Sequence, residues 1–323
     1  MKPVLFATGL GKEIKRAENI YALYDAYPYE KVIMSMHDEK FQFEAISGKY
    51  DVMIVDVFPT FHTCKTFMIW HAIQGGKYIG LDEQKDGIAR FYKREQATFI
   101  DGIIVAGHGG VEMFNRCTGV PKERIYNLGM PRTDRYIRKK KGDGHTALAE
   151  KRAYLYVPTF RHGHEGRMPD INWEWIDRQL IDDELFAVKS HPYGYGNDLN
   201  GFKHIIEISK MEPSVNYLYD CDVVITDYSS IMFDGYLLKK PCVLFEKNPG
   251  YCKTRGMYLE YPSQYSSRFA RDEEELIEQI RSAKRLTKVE KKCMFYVADS
   301  CDGHSCERIV NFIIKENGGK DNG

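Results

Sequence analysis

The sequence has no excess of charge of either sign and no long apolar run. Its 46 Lys and Arg residues balance 46 Asp and Glu residues, so the overall field attracts no nucleic acid, and an anionic ligand needs a local cluster of cations. No stretch approaches the roughly 18 to 20 apolar residues of a transmembrane helix. The first residues also lack the pattern of a signal peptide. We therefore predict a cytoplasmic protein without a nucleic-acid partner.

Motifs for metals, disulfides and common cofactors are also missing. The eight cysteines include no CxxC pair, which is typical of reduced thiols, and Cys301 and Cys306, the closest pair, have no further matched ligands. Gly9 and Gly11 follow the first predicted strand without the third glycine of a dinucleotide fingerprint. There is no Walker A, GxSxG or HExxH sequence. We predict neither a metal nor an organic cofactor.

The chain is long enough for two domains. At 323 residues it exceeds what one hydrophobic core usually supports. Short β-rich runs, such as Val4–Thr8 and Asp222–Thr226, alternate with amphipathic stretches, a pattern typical of parallel sheets covered by helices. The apolar pattern lapses in the basic segment Arg132–Gly144. We predict two Rossmann-like α/β domains, residues 1–140 and 141–323, facing across a cleft, with a final helix long enough to return to the first domain.

The segment Asp222–Gly235 is the most informative part of the second domain. A buried strand ending near Thr226 and Asp227 is predicted to run directly into a helix whose first turn carries Ser229 and Ser230. Hydroxyl groups and unpaired amides at such a helix start suit a diphosphate. The ordinary alternative is that Asp227 or Ser229 only caps the helix.

Three further side chains of the second domain are candidates for binding phosphate. His191 follows the predicted strand Leu185–Lys189, and Pro192 holds it in an extended conformation. An imidazole there can stabilise charge on a leaving nucleotide. Arg161, after the first strand of this domain, offers a forked donor, and Arg255 lies in a loop able to close over the donor. A histidine bonded within a loop and an ordinary surface ion pair are the alternatives.

In the first domain, His71 ends a predicted strand and is expected to face the cleft from the opposite wall. A neutral imidazole there can take a proton from an attacking hydroxyl, although a packed, non-catalytic histidine has the same sequence signature. The segment between the domains carries six cations from Arg132 to Lys141 against the single acid Asp134. Such a run either contacts anionic lipid head groups or is simply solvated.

Seven short motifs, taken in order, resemble those of the CDP-glycerol glycerophosphotransferases, the primases and polymerases of wall teichoic acid. They are Trp70–His71, Gly129–Arg132, Pro158–Arg161, His191–Pro192, Thr226–Ser230, Arg255–Gly256 and Asp302–Arg308. The resemblance implies a GT-B architecture with a CDP-linked polyol phosphate bound by the C-terminal domain. It also implies a glycan acceptor, often lipid-linked, that enters from the N-terminal side.

The resemblance further implies roles for individual residues. His71 matches the family's proposed base, and His191, Ser229 and Ser230 match residues that hold the donor diphosphate. The other candidates for donor binding that fall in family motifs are Arg161, Thr226, Asp227 and Arg255. The sequence after His71 departs from the family's usual Gly-Thr, which changes the acceptor side of the expected site.

The implied reaction moves a polyol phosphate, glycerol phosphate before ribitol phosphate, to a hydroxyl of teichoic acid or another surface glycan such as a capsule, and releases CMP. Peripheral contact with the inner face of the cell membrane is a further expectation. Two alternatives stay open, because a two-domain fold of this kind does not select one chemistry. One is a GT-B glycosyltransferase that uses a nucleotide sugar, and the other is a catalytically silent protein that binds a nucleotide or glycan.

Overall fold

The computed structural model describes residues 1–10, 17–61, 63–76, 94–159, 170–190, 199–209, 212, 214–247 and 256–318. The chain forms two compact units, and the first combines both ends of the sequence. This unit comprises Met1–Ile137 and Tyr296–Gly323, and the second comprises Arg138–Phe295. Each unit is built on its own parallel sheet. The prediction of two parallel-sheet α/β domains is therefore confirmed.

The first sheet has the strand order β2-β1-β3-β4-β5-β6 among the described residues, with every pair parallel. Its strands are β1 Val4–Thr8, β2 Lys31–Ser35, β3 Val52–Val55, β4 Lys65–Ile69, β5 Gly102–Val105 and β6 Ile125–Asn127. Helices α1 Glu18–Ala26, α2 Phe41–Ala45 and α3 His108–Thr118 belong to the same unit. Strands β1, β3 and β5 are buried along their whole length, which explains why they are almost uniformly apolar in the sequence.

The second sheet has the order β12-β11-β10-β7-β8-β9 and is also parallel throughout its described part. Its strands are β7 Arg152–Tyr156, β8 Glu184–Val188, β9 Ile205–Glu207, β10 Val223–Thr226, β11 Cys242–Phe245 and β12 Phe269–Ala270. The helices after β7 in the chain are α4 Trp173–Gln179, α5 Ser214–Asp220, α6 Ile231–Leu237, α7 Glu273–Ser282, α8 Lys288–Ala298 and α9 Ser305–Glu316. The last of these, α9, belongs to the first unit. The core of the second unit packs one face of the sheet, through alternate strand residues such as Tyr154, Tyr156 and Ile225, against α4 and α7.

The basic segment after the first unit is fixed at its end by one buried carboxylate. Asp220 accepts hydrogen bonds from the backbone N–H groups of Gly142, Gly144 and Thr146, and from the Thr146 hydroxyl, at 2.8 to 3.1 Å. Burial alone would raise the pKa of Asp220, but these hydrogen bonds together outweigh it and hold the pKa below its ordinary value. Asp220 therefore stabilises the start of the second unit in its ionised form.

Several sequence expectations need correction or extension. The predicted helix carrying Ser229 and Ser230 begins only at Ile231, so both serines precede its first turn. The helix Lys288–Ala298 and the short strand Phe269–Ala270 were not predicted. No helix in the described ranges is long and apolar enough to cross a membrane.

The cysteines are separate thiols in the part of the chain that the structure describes. Cys301 Sγ is directed to the Ala106 carbonyl and Cys306 Sγ to the Pro131 carbonyl, at 3.8 and 3.6 Å. Burial raises the pKa of Cys306 to about 12. Among the described residues, no group of three or more His, Cys, Asp or Glu side chains is arranged to hold a metal ion.

Candidate active site

The order of the second sheet predicts the edge at which a ligand binds. β7 and β10 are neighbours, and the chain leaves them in opposite directions, toward β8 and β9 on one side and β11 and β12 on the other. In open α/β sheets, ligands bind at the carboxyl ends of the strands where the strand order reverses in this way. The residues after Tyr156 and Thr226 therefore form the candidate site of this unit.

Asp227 joins the two loops that leave this position. Its Oδ1 accepts hydrogen bonds from the backbone N–H groups of Thr159 and Tyr228, at 3.0 and 2.7 Å. The Thr226 hydroxyl donates to the Val157 carbonyl at 2.6 Å, so it also links β10 to the chain after β7. Both side chains are buried. The contacts of Thr226 and Asp227 are those of residues that position the loops.

Ser229 and Ser230 are the more accessible polar groups of the same loop. Both are half-buried, and Ser230 occupies the position before the first residue of α6. The Ser229 carbonyl accepts from Met232 N–H at 3.3 Å, and the Ser230 carbonyl from Phe233 N–H at 3.0 Å. The Ser230 side chain makes no capping hydrogen bond, whereas the Ser229 hydroxyl accepts from Ile231 N–H at 3.5 Å. The two hydroxyls thus stand at the carboxyl end of β10, where the sheet order predicts a ligand.

Buried polar groups continue along this edge onto β8. Lys189 donates from Nζ to the Ser209 carbonyl at 3.0 Å, and burial lowers the pKa of Lys189. The hydroxyl oxygens of Thr159 and Ser190 are buried without a hydrogen-bond partner among the described residues. The sequence analysis missed these hydroxyls, although their position just after an apolar strand run is a usable signal. Three residues of the sequence prediction, Arg161, His191 and Arg255, lie outside the described residues.

The first unit has a corresponding reversal of strand order between β1 and β3. Asp56, which follows β3, accepts from the Thr8 hydroxyl at 2.6 Å and from Gly9 N–H at 2.8 Å. Burial raises the pKa of Asp56 despite these hydrogen bonds. A Cβ atom on Gly9 would lie 2.3 Å from Val57 Cγ2, so only glycine fits there. The sequence analysis did not select Asp56, because it depended on motifs and not on strand order.

His71 lies one strand further along the first sheet. It follows β4, is exposed, and has its ring against Trp70, with 4.6 Å between the ring centroids. The backbone of the preceding residue is fixed because Asn19 donates from Nδ2 to the Trp70 carbonyl at 3.0 Å. His71 therefore stands at the carboxyl edge of its sheet on a backbone that the buried Asn19 holds in place.

A family model described as CDP-Glycerol:Poly(glycerophosphate) glycerophosphotransferase matches residues 46–315. The chain belongs to this family. The teichoic acid glycerol-phosphate primase of Bacillus subtilis strain 168 is 28% identical to this family member over 263 residues, covering 77% of the chain and 68% of the relative. The teichoic acid poly(ribitol-phosphate) polymerase of Bacillus spizizenii is 25% identical over 316 residues, covering 87% and 50%. The chain thus spans half to about two thirds of the length of these curated relatives.

Solved structures establish the GT-B fold of this glycerophosphotransferase family member. The wall teichoic acid polymerase TagF superposes with a TM-score of 0.76 at 17% identity, over 98% of this chain and 89% of the other. A putative UDP-N-acetylglucosamine 2-epimerase from Listeria monocytogenes superposes with a TM-score of 0.65 at 12% identity, over 98% and 96%. At such identities the likeness concerns the fold, which is shared by proteins with different names.

Two of the family motifs have structural roles in the first unit. Gly129 has φ +95°, and a Cβ atom there would come within 2.4 Å of both Ser305 Oγ and the Ser300 carbonyl oxygen. Arg308 forms an ion pair with Asp302 at 2.9 Å and also donates to the Ser300 carbonyl. These contacts fix the start of α9 against the loop after β6. We therefore assign both motifs to folding of the first unit.

Proposed function

We propose that this family member transfers a polyol phosphate, glycerol phosphate in preference to ribitol phosphate, from a CDP-linked donor to a hydroxyl of a teichoic acid or another surface glycan. The observation that carries the proposal is the pair of accessible hydroxyls, Ser229 and Ser230, at the carboxyl end of β10 where the strand order reverses. They lie inside the region matched by the family model. A TagF structure obtained with CDPG shares the fold, with a TM-score of 0.75.

In the proposed reaction, an acceptor hydroxyl oxygen attacks the β-phosphorus of the donor. A new phosphorus–oxygen bond forms, the bond from the β-phosphorus to the bridging oxygen breaks, and CMP leaves with that oxygen. The proton of the hydroxyl passes to His71, whose exposed imidazole is a group able to act as general base. Positioning and neutralisation of phosphate charge supply most of the rate in such transfers.

The donor is proposed to bind to the second unit. Ser229 and Ser230 donate hydrogen bonds to the diphosphate, and His191, Arg161 and Arg255 are proposed to supply the compensating positive charge. Thr226 and Asp227 act through the loop that they hold, because their hydrogen bonds go to the backbone of that loop. These two residues are therefore proposed to be positioning residues and not direct ligands.

Contact with an anionic membrane is a second part of the proposal. Arg138, Lys139 and Lys140 are exposed, and none has an ion-pair partner among the residues that the structure describes. Each such cation contributes about 1 kcal/mol near an anionic surface. Co-sedimentation with phosphatidylglycerol vesicles tests this part. Changing all three residues to Glu should abolish the co-sedimentation, and unchanged co-sedimentation would contradict membrane contact by this segment.

Calorimetric titration of the full chain tests the donor site. The ligands are CDP-glycerol, CDP-ribitol and UDP-glucose, and the variants are Ser229→Ala and the control Ser282→Ala. Ser282 lies on the surface of α7 and donates to the Gln279 carbonyl. Its substitution by Ala therefore removes a hydroxyl group at a position away from the candidate donor site. We expect selective binding of CDP-glycerol that Ser229→Ala weakens by about 1.5 to 3 kcal/mol, the value of a hydrogen bond to a charged group. Preference for UDP-glucose would favour the glycosyltransferase alternative.

A further inference from the structure

A polar cavity lies in the second unit at the amino-terminal edge of its sheet. Its volume is about 430 Å³, within the range of small-molecule sites. Four cations line it, Lys141, Lys151, Arg152 and Lys284, together with the acids Glu150 and Asp222. Neither the family motifs nor the proposed reaction uses any of these residues.

The cavity is separate from the candidate active site. Arg152 is the first residue of β7, and Asp222 immediately precedes β10, whereas Asp227 and Ser229 follow the other end of β10. A strand of five residues spans roughly 17 Å. A ligand in the cavity therefore cannot contact the groups at the carboxyl edge of the sheet.

The two acids do not cancel the positive charge. Asp222 is engaged, because its Oδ2 accepts from Lys141 Nζ at 2.6 Å and from Ala153 N–H at 2.9 Å. Lys141 Nζ also donates to the Lys151 carbonyl at 2.6 Å, which fixes its position in the wall. With that pair neutralised, three cations remain in the lining against Glu150 alone, so the cavity attracts an anion.

Arg152 and Lys284 are two lining cations with hydrogen-bond donors that no described residue uses. Arg152 donates from Nη2 to the Ile280 and Arg281 carbonyls at 3.2 and 2.8 Å, and both of its hydrogen bonds to described residues use this one nitrogen. The guanidinium is thus held in one orientation while its other N–H groups remain for a ligand. Lys284 is exposed and has no ion-pair partner in the described part of the chain.

We propose that this cavity binds a soluble phosphate ester, with its anionic oxygens on Arg152 and Lys284. The Nη1 and Nε donors of Arg152 and the ammonium of Lys284 suit phosphate, because the guanidinium gives directed, charge-assisted hydrogen bonds and the lysine adds a compact charge. The cavity accepts a ligand of the size of glycerol phosphate. This inference does not depend on the proposed transfer reaction, since it uses a different end of the sheet.

Calorimetric titration of the full chain with sn-glycerol 3-phosphate at low ionic strength tests the proposal. We expect saturable binding whose Kd rises about tenfold or more in Lys284→Glu, because a hydrogen bond to a charged group is lost and a like charge is added. The matched control is Arg285→Glu, which makes the same change of charge at the next exposed residue, outside the lining. It should change the Kd much less. The double variant Ser229→Ala, Ser230→Ala should still bind, which excludes binding at the donor site.

Three results would overturn the proposal. They are the absence of saturable binding to the unaltered chain, equal losses in Lys284→Glu and Arg285→Glu, and binding to phosphatidylglycerol vesicles that Lys284→Glu reduces, without binding to soluble glycerol phosphate. The last result would make this face a membrane surface. Titration of the Lys284→Glu variant with CDP-glycerol distinguishes the cavity from the donor site. The affinity of this variant for CDP-glycerol should equal that of the unaltered chain, because Lys284 lies outside the donor site.

Discussion

Replacing Asp227 by Ala should destabilise the second unit and abolish donor binding. One carboxylate oxygen accepts from the N–H groups of both Thr159 and Tyr228 in a buried position. Hydrogen bonds to a charged group contribute about 1.5 to 3 kcal/mol each, so losing both costs about 3 to 6 kcal/mol. That is a large part of the total stability of an ordinary domain, about 5 to 15 kcal/mol.

Urea unfolding followed by circular dichroism measures this loss, and calorimetry with CDP-glycerol measures donor binding. Asp227→Asn is the matched control, because its amide oxygen can still accept both hydrogen bonds and only the charge is removed. We expect Asn to recover about 1 to 3 kcal/mol of the lost stability, since a neutral hydrogen bond contributes about 0.5 to 1.5 kcal/mol. If the unfolding free energy of the Ala variant lies within about 1 kcal/mol of that of the unaltered chain, Asp227 does not hold the two loops together.

Three further predictions concern other parts of the molecule. His71→Ala should leave CDP-glycerol affinity unchanged and lower the rate of CMP release about 10²- to 10⁴-fold, and equal losses in both would indicate a structural histidine. Gly129→Ala should lower the melting temperature of the first unit, because the new Cβ would clash with Ser305 and the backbone φ at this position is positive. Gly119→Ala is the control and should lower it less, because φ is also positive there but no atom lies within 4 Å of the new Cβ. Asp220→Asn should reduce the unfolding free energy most above pH 5. Because the pKa of Asp220 is lowered on folding, this difference should shrink as the pH falls below about 4, and a pH-independent difference would contradict it.

The strands could be predicted from the sequence because parallel strands are buried on both faces. Runs such as Val52–Val55 and Cys242–Phe245 are uniformly apolar and end in polar residues, so local pattern is sufficient to find them. The strand Phe269–Ala270 has only two residues, which leaves no periodicity to detect.

The helix Lys288–Ala298 could not be predicted because its buried face contains an acid. Glu290 is fully buried and accepts two hydrogen bonds from Arg268 Nη1, at 2.8 and 3.0 Å, and one from Cys242 N–H. A charged residue at a core position breaks the apolar pattern of a helix. Its partner Arg268 is 22 residues away in sequence, so no local signal reveals the pair.

The candidate site was predictable only in part, for a similar reason. The sequence motifs selected Ser229 and His71, which lie at the carboxyl edges of their sheets. The positioning contacts of Asp227, and the buried group around Asp56, depend on which strands are neighbours. Strand order follows from long-range packing, so a local motif does not contain it.

Product analysis tests the central proposal most directly. The full chain is incubated with CDP-glycerol and membranes that supply a lipid-linked glycan, and the nucleotide and the glycan are analysed by chromatography and ³¹P NMR. We predict release of CMP in step with a new phosphodiester, both reduced in Ser229→Ala and not in Ser282→Ala. Release of UDP from UDP-glucose with transfer of the sugar, and no CMP from CDP-glycerol, would contradict transfer of a polyol phosphate.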